Sequence, residues 1–217
     1  MQRTAPDALL LLATGCAHCP VVLEGLSQLL KQGRIGRLEV VNIVEQPEAA
    51  QAVGTRSVPW TRIGPFELEG ALSPAELARW VELASNEQGF GEYYSHLLET
   101  QRPHKVSEQI KQHPASLSHL IGLLTDEETP MSARIGVGVV MEELEGEPVL
   151  RQGLETLAAL AESEQANIRA DASHFLGLTR HPDAEAPLRA RLDDPNPDVR
   201  EIAAESLQML NSEKSNG

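Results

Sequence analysis

The sequence is short of several features that mark large classes of protein. Only two cysteines occur in 217 residues, three positions apart at Cys16 and Cys19, so a long-range disulfide framework within the chain is excluded and packing must supply stability. Basic charge is scarce. Eighteen Lys and Arg face 32 Asp and Glu, a formal net charge of −14, which opposes a phosphate backbone or an anionic membrane as partner. No apolar run approaches the ~20 residues a membrane helix needs, so neither nucleic acid nor membrane is expected as a partner. Aromatic residues make up 3% of the chain, which makes the group Phe90, Tyr93 and Tyr94 stand out; it is expected to dock two domains together.

The rest of the composition is that of a folded chain. Hydrophobic residues are 41% and charged residues 23%, close to the globular average. The charge is unevenly spread: residues 1–85 carry 7 basic and 9 acidic groups, whereas 86–217 carry 11 and 23. Two modest domains of different chemistry fit the length.

Ala8–Ala13 is an apolar run bounded by Pro6-Asp7 and Thr14-Gly15, the form of a strand buried on both faces. Its alternative reading, a signal sequence ending at a lipidated Cys16, is disfavoured by the single basic residue ahead of it and by Pro6-Asp7, so the expected compartment is the cytoplasm. Val21, Val22, Leu23, Leu26, Leu29 and Leu30 recur at helical spacing and stop at Gln32-Gly33. Leu38–Val44 reads as a second strand, parallel to the first through this βαβ connection. A short helix over Pro47–Ala52 follows, then extended Trp60–Ile63, a turn at Gly64-Pro65, and Phe66–Glu69 returning as an antiparallel partner. Ser73-Pro74-Ala75-Glu76 supplies an N-cap, a proline and a capping-box glutamate for a last helix with Leu77, Trp80, Val81 and Ala84 on one face. The predicted order is βαβαββα.

Ser85–Gly91 breaks the pattern, and no strand signal follows it. The expected organisation is a first domain at 1–86, a linker helix at 87–103, helical repeats at 104–210 and a disordered tail at 211–217. The repeat signal is Ala133-Arg134, Ile168-Arg169 and Val199-Arg200, each beginning a helix, with arginines 35 and 31 residues apart. A small or β-branched residue comes three places later and Met or Leu seven places later. Val149–Ala161 and Ala184–Leu192 supply the second helices, and the acidic turns at 126–130 and 193–198 face the arginines, which are expected to cap them through carboxylates. Gly136-Val-Gly138 lies inside such a helix, where small residues permit close packing. The acidic runs at 126–128 and 142–147 read as solvated surface, with an acidic docking face as the alternative.

Gly15-Cys16-Ala17-His18-Cys19-Pro20 between a buried strand and a helix, Ser57-Val58-Pro59 about 40 residues on, and Glu69-Gly70-Ala71-Leu72-Ser73 before the last helix together resemble the thioredoxin superfamily over roughly residues 7–86. Gly15 stands where that family usually has tryptophan, Leu10 stands in place of a buried acid, and the usual extra N-terminal strand and helix are absent, so the domain is closer to the minimal, glutaredoxin-like version. Residues 104–210 resemble short HEAT-type repeats, with Asp193-Asp-Pro-Asn-Pro-Asp-Val-Arg-Glu-Ile-Ala-Ala204 the nearest to consensus. The resemblance implies an α/β thioredoxin-like domain followed by an all-α repeat domain that binds proteins. It also implies that Cys16 is the nucleophile, Cys19 the resolving thiol and Pro59 a cis-proline beside them.

The chemistry this implies is thiol–disulfide exchange with a protein client and no cofactor. A thiolate attacks, and a helix N-terminus lowers a thiol's pKa through its free N–H groups and dipole. His18, between the cysteines, is expected to add a hydrogen bond or partial positive charge and to raise the potential above thioredoxin's. Val58 is expected to offer its backbone to an extended substrate, with Pro59 shaping the groove or serving only as a rigid turn; Trp60 reads as groove wall or as core. Two other readings stand beside this one: a non-enzymatic adaptor on a thioredoxin-like platform, and a soft-metal carrier in which two thiolates and an imidazole hold copper or zinc, although no second CxxC completes a tetrahedral set.

Overall fold

The computed structural model describes residues 5–86 and 89–214 and divides the chain into two compact units, Met1–Gly89 and Phe90–Gly217. The first unit contains β1 (Ala8–Leu12), α1 (Cys19–Lys31), β2 (Leu38–Asn42), α2 (Pro47–Ala52), β3 (Trp60–Ile63), β4 (Phe66–Glu69) and α3 (Pro74–Leu83), in the predicted order. The sheet order is β2-β1-β3-β4, with β1 parallel to β2 and antiparallel to β3, and β3 antiparallel to β4. Leu10 and Leu11 point to opposite faces of β1 and both are 0% exposed, so the apolar run is a strand buried on both sides. β2 is shorter than expected. It stops at Asn42, and as an edge strand it leaves Val40 exposed.

α1 buries Val22, Gly25, Leu26 and Leu29, and α3 buries Leu77, Trp80 and Val81. Gly25 lets the two approach: a Cβ there would lie 2.6 Å from Leu77 Cδ1. Trp80 meets Phe66 of β4 edge to face, with ring centroids 5.9 Å apart. The capping box of α3 forms as its sequence specifies, with Glu76 N–H donating to Ser73 Oγ (3.3 Å) and Ser73 N–H to Glu76 Oε2 (2.8 Å).

The second unit is helical: α4 (Gly89–Glu99), α5 (Pro103–Gln112), α6 (Leu117–Gly122), α7 (Met131–Glu143), α8 (Leu154–Leu160), α9 (Ala166–Leu178), α10 (Glu185–Ala190) and α11 (Pro197–Lys214). The expected linker at 87–103 needs correction. Residues 87–88 lie outside the described residues, but α4 buries Tyr93, Tyr94, Leu97 and Leu98, and Leu98 packs where a Cβ on Gly136 of α7 would sit. Tyr94 shares a buried 2.5 Å hydrogen bond with Ser116 Oγ, and Phe90 lies against His113 and His119, contacts within this unit. Burial holds the Tyr94 hydroxyl far above its ordinary pKa. The expected tail also begins too early, since α11 continues to Lys214; residues 215–217 lie outside the description.

The short helices α6, α8 and α10 are each entered through a 3-10 turn that begins at proline, at Pro114, Pro148 and Pro182. Those prolines are 34 residues apart in both steps, a period the arginine comparison does not display. The arginines do cap the turns before them, but through backbone oxygens. Arg134 donates to the carbonyls of Thr129 and Asp126, Arg169 to those of Ser163 and Glu164, and Arg200 to those of Asp194 and Pro195. A turn exposes carbonyls that no helix satisfies, and a guanidinium fork reaches two of them at once. Only Arg169 also engages a carboxylate, bidentate to Asp194 at 2.8 Å and 2.8 Å, and that acid belongs to the following turn. Arg169 lowers the Asp194 carboxyl to a pKa of about 2, while the bond to Asp194 raises Arg169 further.

Candidate functional site

The C-terminal end of β1 and the N-terminal end of β3 lie at one end of the sheet, because Leu11 pairs with Trp60, and the chain enters α1 from the loop after β1. Gly15 carries the chain from β1 towards the helix with φ +83°, a left-handed conformation that explains why glycine stands at this place. Cys16 and Cys19 form a disulfide with Cα atoms 5.5 Å apart. Cys16 is half-buried, whereas Cys19, the first residue of α1, is 3% exposed. The side chain of His18, the N-cap residue, makes no capping hydrogen bond to α1, and no acidic residue lies in its first turn. The Cys19 N–H instead donates to Cys16 Sγ at 3.2 Å. The outer sulfur thus occupies the position where an oxygen would cap a helix, facing the positive end of an unneutralised macrodipole.

His18 precedes the helix with its side chain exposed and makes no side-chain cap. Val58-Pro59 is a cis peptide bond, placed by β3 at the same end of the sheet as the cysteines. Pro59 is buried, and its carbonyl accepts the Gly70 N–H at 2.9 Å, tying it to the turn after β4. Val58 is half-buried, and neither its N–H nor its C=O is hydrogen-bonded among the described residues. Trp60 is different. It is 0% exposed and belongs to the core, so the groove-wall expectation is corrected: the first side chain of β3 is buried, although Arg62 on the same face is exposed.

Two supporting links are not visible as motifs. Asn42 Nδ2 donates to Thr14 Oγ1 at 3.1 Å, joining the loops after β2 and β1, and Asn42 Oδ1 accepts the Val44 N–H. Thr55 Oγ1 donates to the Ser57 carbonyl and accepts the Ser57 N–H, folding the segment that delivers Val58. An Asn at a strand end and a Thr two residues before a Ser are the only sequence traces of these turns. Beside the pair, α1 and α3 enclose a groove of about 490 Å³ lined by Pro20, Val21, Gly25, Leu29, Pro74 and Ala78 among others. The other histidines are dispersed: His181 Nδ1 accepts the Asp183 N–H, and His174 lies 3.8 Å from Glu142. Among the described residues no group of three or more His, Cys, Asp and Glu side chains is placed to hold a metal ion. Nor is any described helix long and apolar enough to cross a membrane.

Comparison with known families assigns both parts of the chain. The model described as Thioredoxin domain matches residues 8–82, and the one described as HEAT repeats matches residues 152–215. No curated protein matches the sequence. The mixed four-stranded sheet with its flanking helices and CxxC pair is accordingly a thioredoxin-like domain, and the helical unit that follows it carries HEAT repeats.

Proposed function

We propose that the chain is a thiol–disulfide oxidoreductase acting on a protein client, with Cys16 as the reacting sulfur, Cys19 as the resolving sulfur and the HEAT repeats as the client-binding module. The observation that carries this reading is the asymmetry of the pair: a half-buried Cys16, its sulfur at the helix N-terminus, backed by a Cys19 that is 3% exposed. When the pair is reduced, the Cys16 thiolate attacks a client disulfide and expels one client thiolate, giving a mixed disulfide. Cys19, deprotonated, then attacks Cys16 Sγ and expels the second client thiolate, which takes up a proton from solvent. The client gains two electrons, and the Cys16–Cys19 disulfide forms. Run in reverse, a client thiolate attacks Cys16 Sγ and Cys19 leaves.

Stabilising the Cys16 thiolate favours the reduced pair and makes the disulfide the stronger oxidant. The Cys19 N–H and a helix N-terminus with no acidic residue in its first turn supply that stabilisation, and the exposed imidazole of His18 lies beside it. Val58 pairs its free backbone groups with an extended client segment, next to the sulfur that reacts.

A glutathione redox titration of the purified protein, followed by thiol alkylation, tests this. The expected result is one reversible two-electron transition at a potential above about −270 mV. In parallel, Cys19→Ser should accumulate a client joined to Cys16, since the resolving step is removed. Absence of a reversible disulfide, with partner binding unaffected by loss of both cysteines, would leave a non-enzymatic adaptor.

A further inference from the structure

α7 carries an apolar stripe on the side that faces solvent. Met131, Ile135 and Val139 are 71%, 65% and 40% exposed and recur at i, i+4 and i+8, so they share one face for about 12 Å of helix. The opposite face already supplies the core, with Ala133, Val137, Val140 and Met141 buried. Repeat architecture does not demand the stripe. Aligning Arg134, Arg169 and Arg200 places Ala166, Ala170 and His174 of α9, and Pro197, Glu201 and Glu205 of α11, at the equivalent positions.

The surroundings of the stripe are acidic. Glu142 continues it by one turn, and the 3.8 Å approach of His174 Nε2 to Glu142 Oε1 sets the outer row of α9 alongside. That row holds exposed Asp171, and α11, which packs on α9, exposes Asp198, Glu201 and Glu205. Two arginines of this region turn back to carbonyls of the turns before them, Arg134 of α7 to Thr129 and Asp126 and Arg200 of α11 to Asp194 and Pro195.

We propose that this face binds a cationic amphipathic helical segment of the client, its apolar side on Met131, Ile135 and Val139 and its Lys or Arg side chains on Glu142, Asp171, Glu201 and Glu205. The inference rests on the reading of the repeats as the client-binding module. A helix is the fitting partner because its own anchors at i, i+4 and i+7 repeat at the pitch of the stripe. Exposed methionine adapts to different apolar partners. A second copy of the chain is disfavoured as occupant, since it would bring another −14 of charge against carboxylates.

The test uses the full chain and a labelled Leu/Lys peptide of about five turns with helical Leu spacing, read by fluorescence anisotropy. Controls are a peptide of the same composition with the spacing scrambled and a Leu/Glu peptide of the original spacing. Saturable binding of the Leu/Lys helix alone, weakening as salt rises, is expected. Met131→Gln with Ile135→Asn, and separately Glu201→Lys with Glu205→Lys, should each raise Kd at least about tenfold; all four positions are exposed or at a surface stripe, and melts check that the fold is kept. Equal binding of the three peptides, or unchanged binding by both variants, would overturn the proposal. So would a concentration-dependent dimer that disappears in Met131→Gln/Ile135→Asn and takes up no peptide. Repeating the titration with Cys16→Ser/Cys19→Ser separates the two readings: undiminished binding there supports the docking face whatever the redox titration gives, and a normal redox transition without peptide binding removes the docking face alone.

Discussion

A single methyl group at Gly177 tests how the HEAT helices are held together. Gly177 of α9 faces Ser206 of α11, and a Cβ built on it would lie 2.8 Å from Ser206 Cβ, 2.9 Å from Ser206 Oγ and 3.1 Å from Ser206 Cα. Comfortable carbon contacts are about 3.5–4.0 Å, so α11 would have to retreat by several tenths of an ångström against a backbone atom that no rotamer change can move. Two effects compete. Alanine in place of glycine favours a helix by about 0.8–1 kcal/mol, less near a terminus, while overpacking a close helix contact costs about 1–3 kcal/mol. The steric term wins, and Gly177→Ala should lose about 1–2 kcal/mol. Gly138 provides the internal control, because it lies mid-helix in α7 with nothing within 4 Å of an added Cβ. Gly138→Ala should therefore gain about 0.5–1 kcal/mol. Urea melts followed by far-ultraviolet circular dichroism measure both. Combining Gly177→Ala with Ser206→Gly removes the two shortest contacts, and the double-mutant cycle should show a favourable coupling of about 1 kcal/mol. Equal gains from both alanines, or strict additivity in the cycle, would refute the close approach of α9 and α11.

Asp194→Asn keeps an acceptor for the Asn196 N–H but loses the charge that Arg169 grips, and should destabilise by roughly 1–2 kcal/mol at neutral pH. Because the folded-state pKa of Asp194 is lowered from 3.8 to about 2, its contribution is fully present above pH 4 and is lost as pH falls towards 2; the gap between wild type and variant in thermal melts should close over that window. Gly15→Trp, which restores the residue more usual before such a cysteine pair, should cost about 1–2 kcal/mol through its left-handed backbone, and Gly15→Ala should cost as much, since no atom lies within 4 Å of the added Cβ. A tryptophan variant as stable as wild type would contradict that backbone conformation. Arg200→Gln should lower stability by about 1 kcal/mol yet leave the redox potential of the cysteine pair unchanged, as measured by melts and glutathione titration.

Where local chemistry decides the outcome, the sequence is legible. The capping box at Ser73 and Glu76, the apolar run of β1, and the turn at Gly64-Pro65 are specified within a few residues, and the structure contains all three. The Cys16–Cys19 pair at the head of α1 belongs to the same class. Readings that depend on a distant partner fare less well. The glycines and polar residues around α4 read as a linker, and only its packing against α7 shows that Tyr93, Tyr94, Leu97 and Leu98 form a buried face. Opposite charges put the arginines near the acidic turns, but charge does not say which oxygen a guanidinium will choose, and the unsatisfied carbonyls prevail. Trp60 is ambiguous for a related reason. Trp60 shares its face of β3 with the exposed Arg62, so alternation along the strand does not place it inside, and only its packing does.

The equal spacing of Pro114, Pro148 and Pro182 makes the length of the second unit a quantised variable. Removing or duplicating 34 residues between equivalent prolines returns the chain to the same phase, with a 3-10 entry, a short helix and a capped turn each meeting a neighbour of the kind it met before. Any other insertion inside a helix rotates its outer row by about 100° per residue and carries it off the common face. Such a protein can lengthen or shorten its outer surface in whole steps while the cysteine-bearing domain stays as it is, so the span of the helical unit and the geometry of the cysteine pair can change independently in one polypeptide.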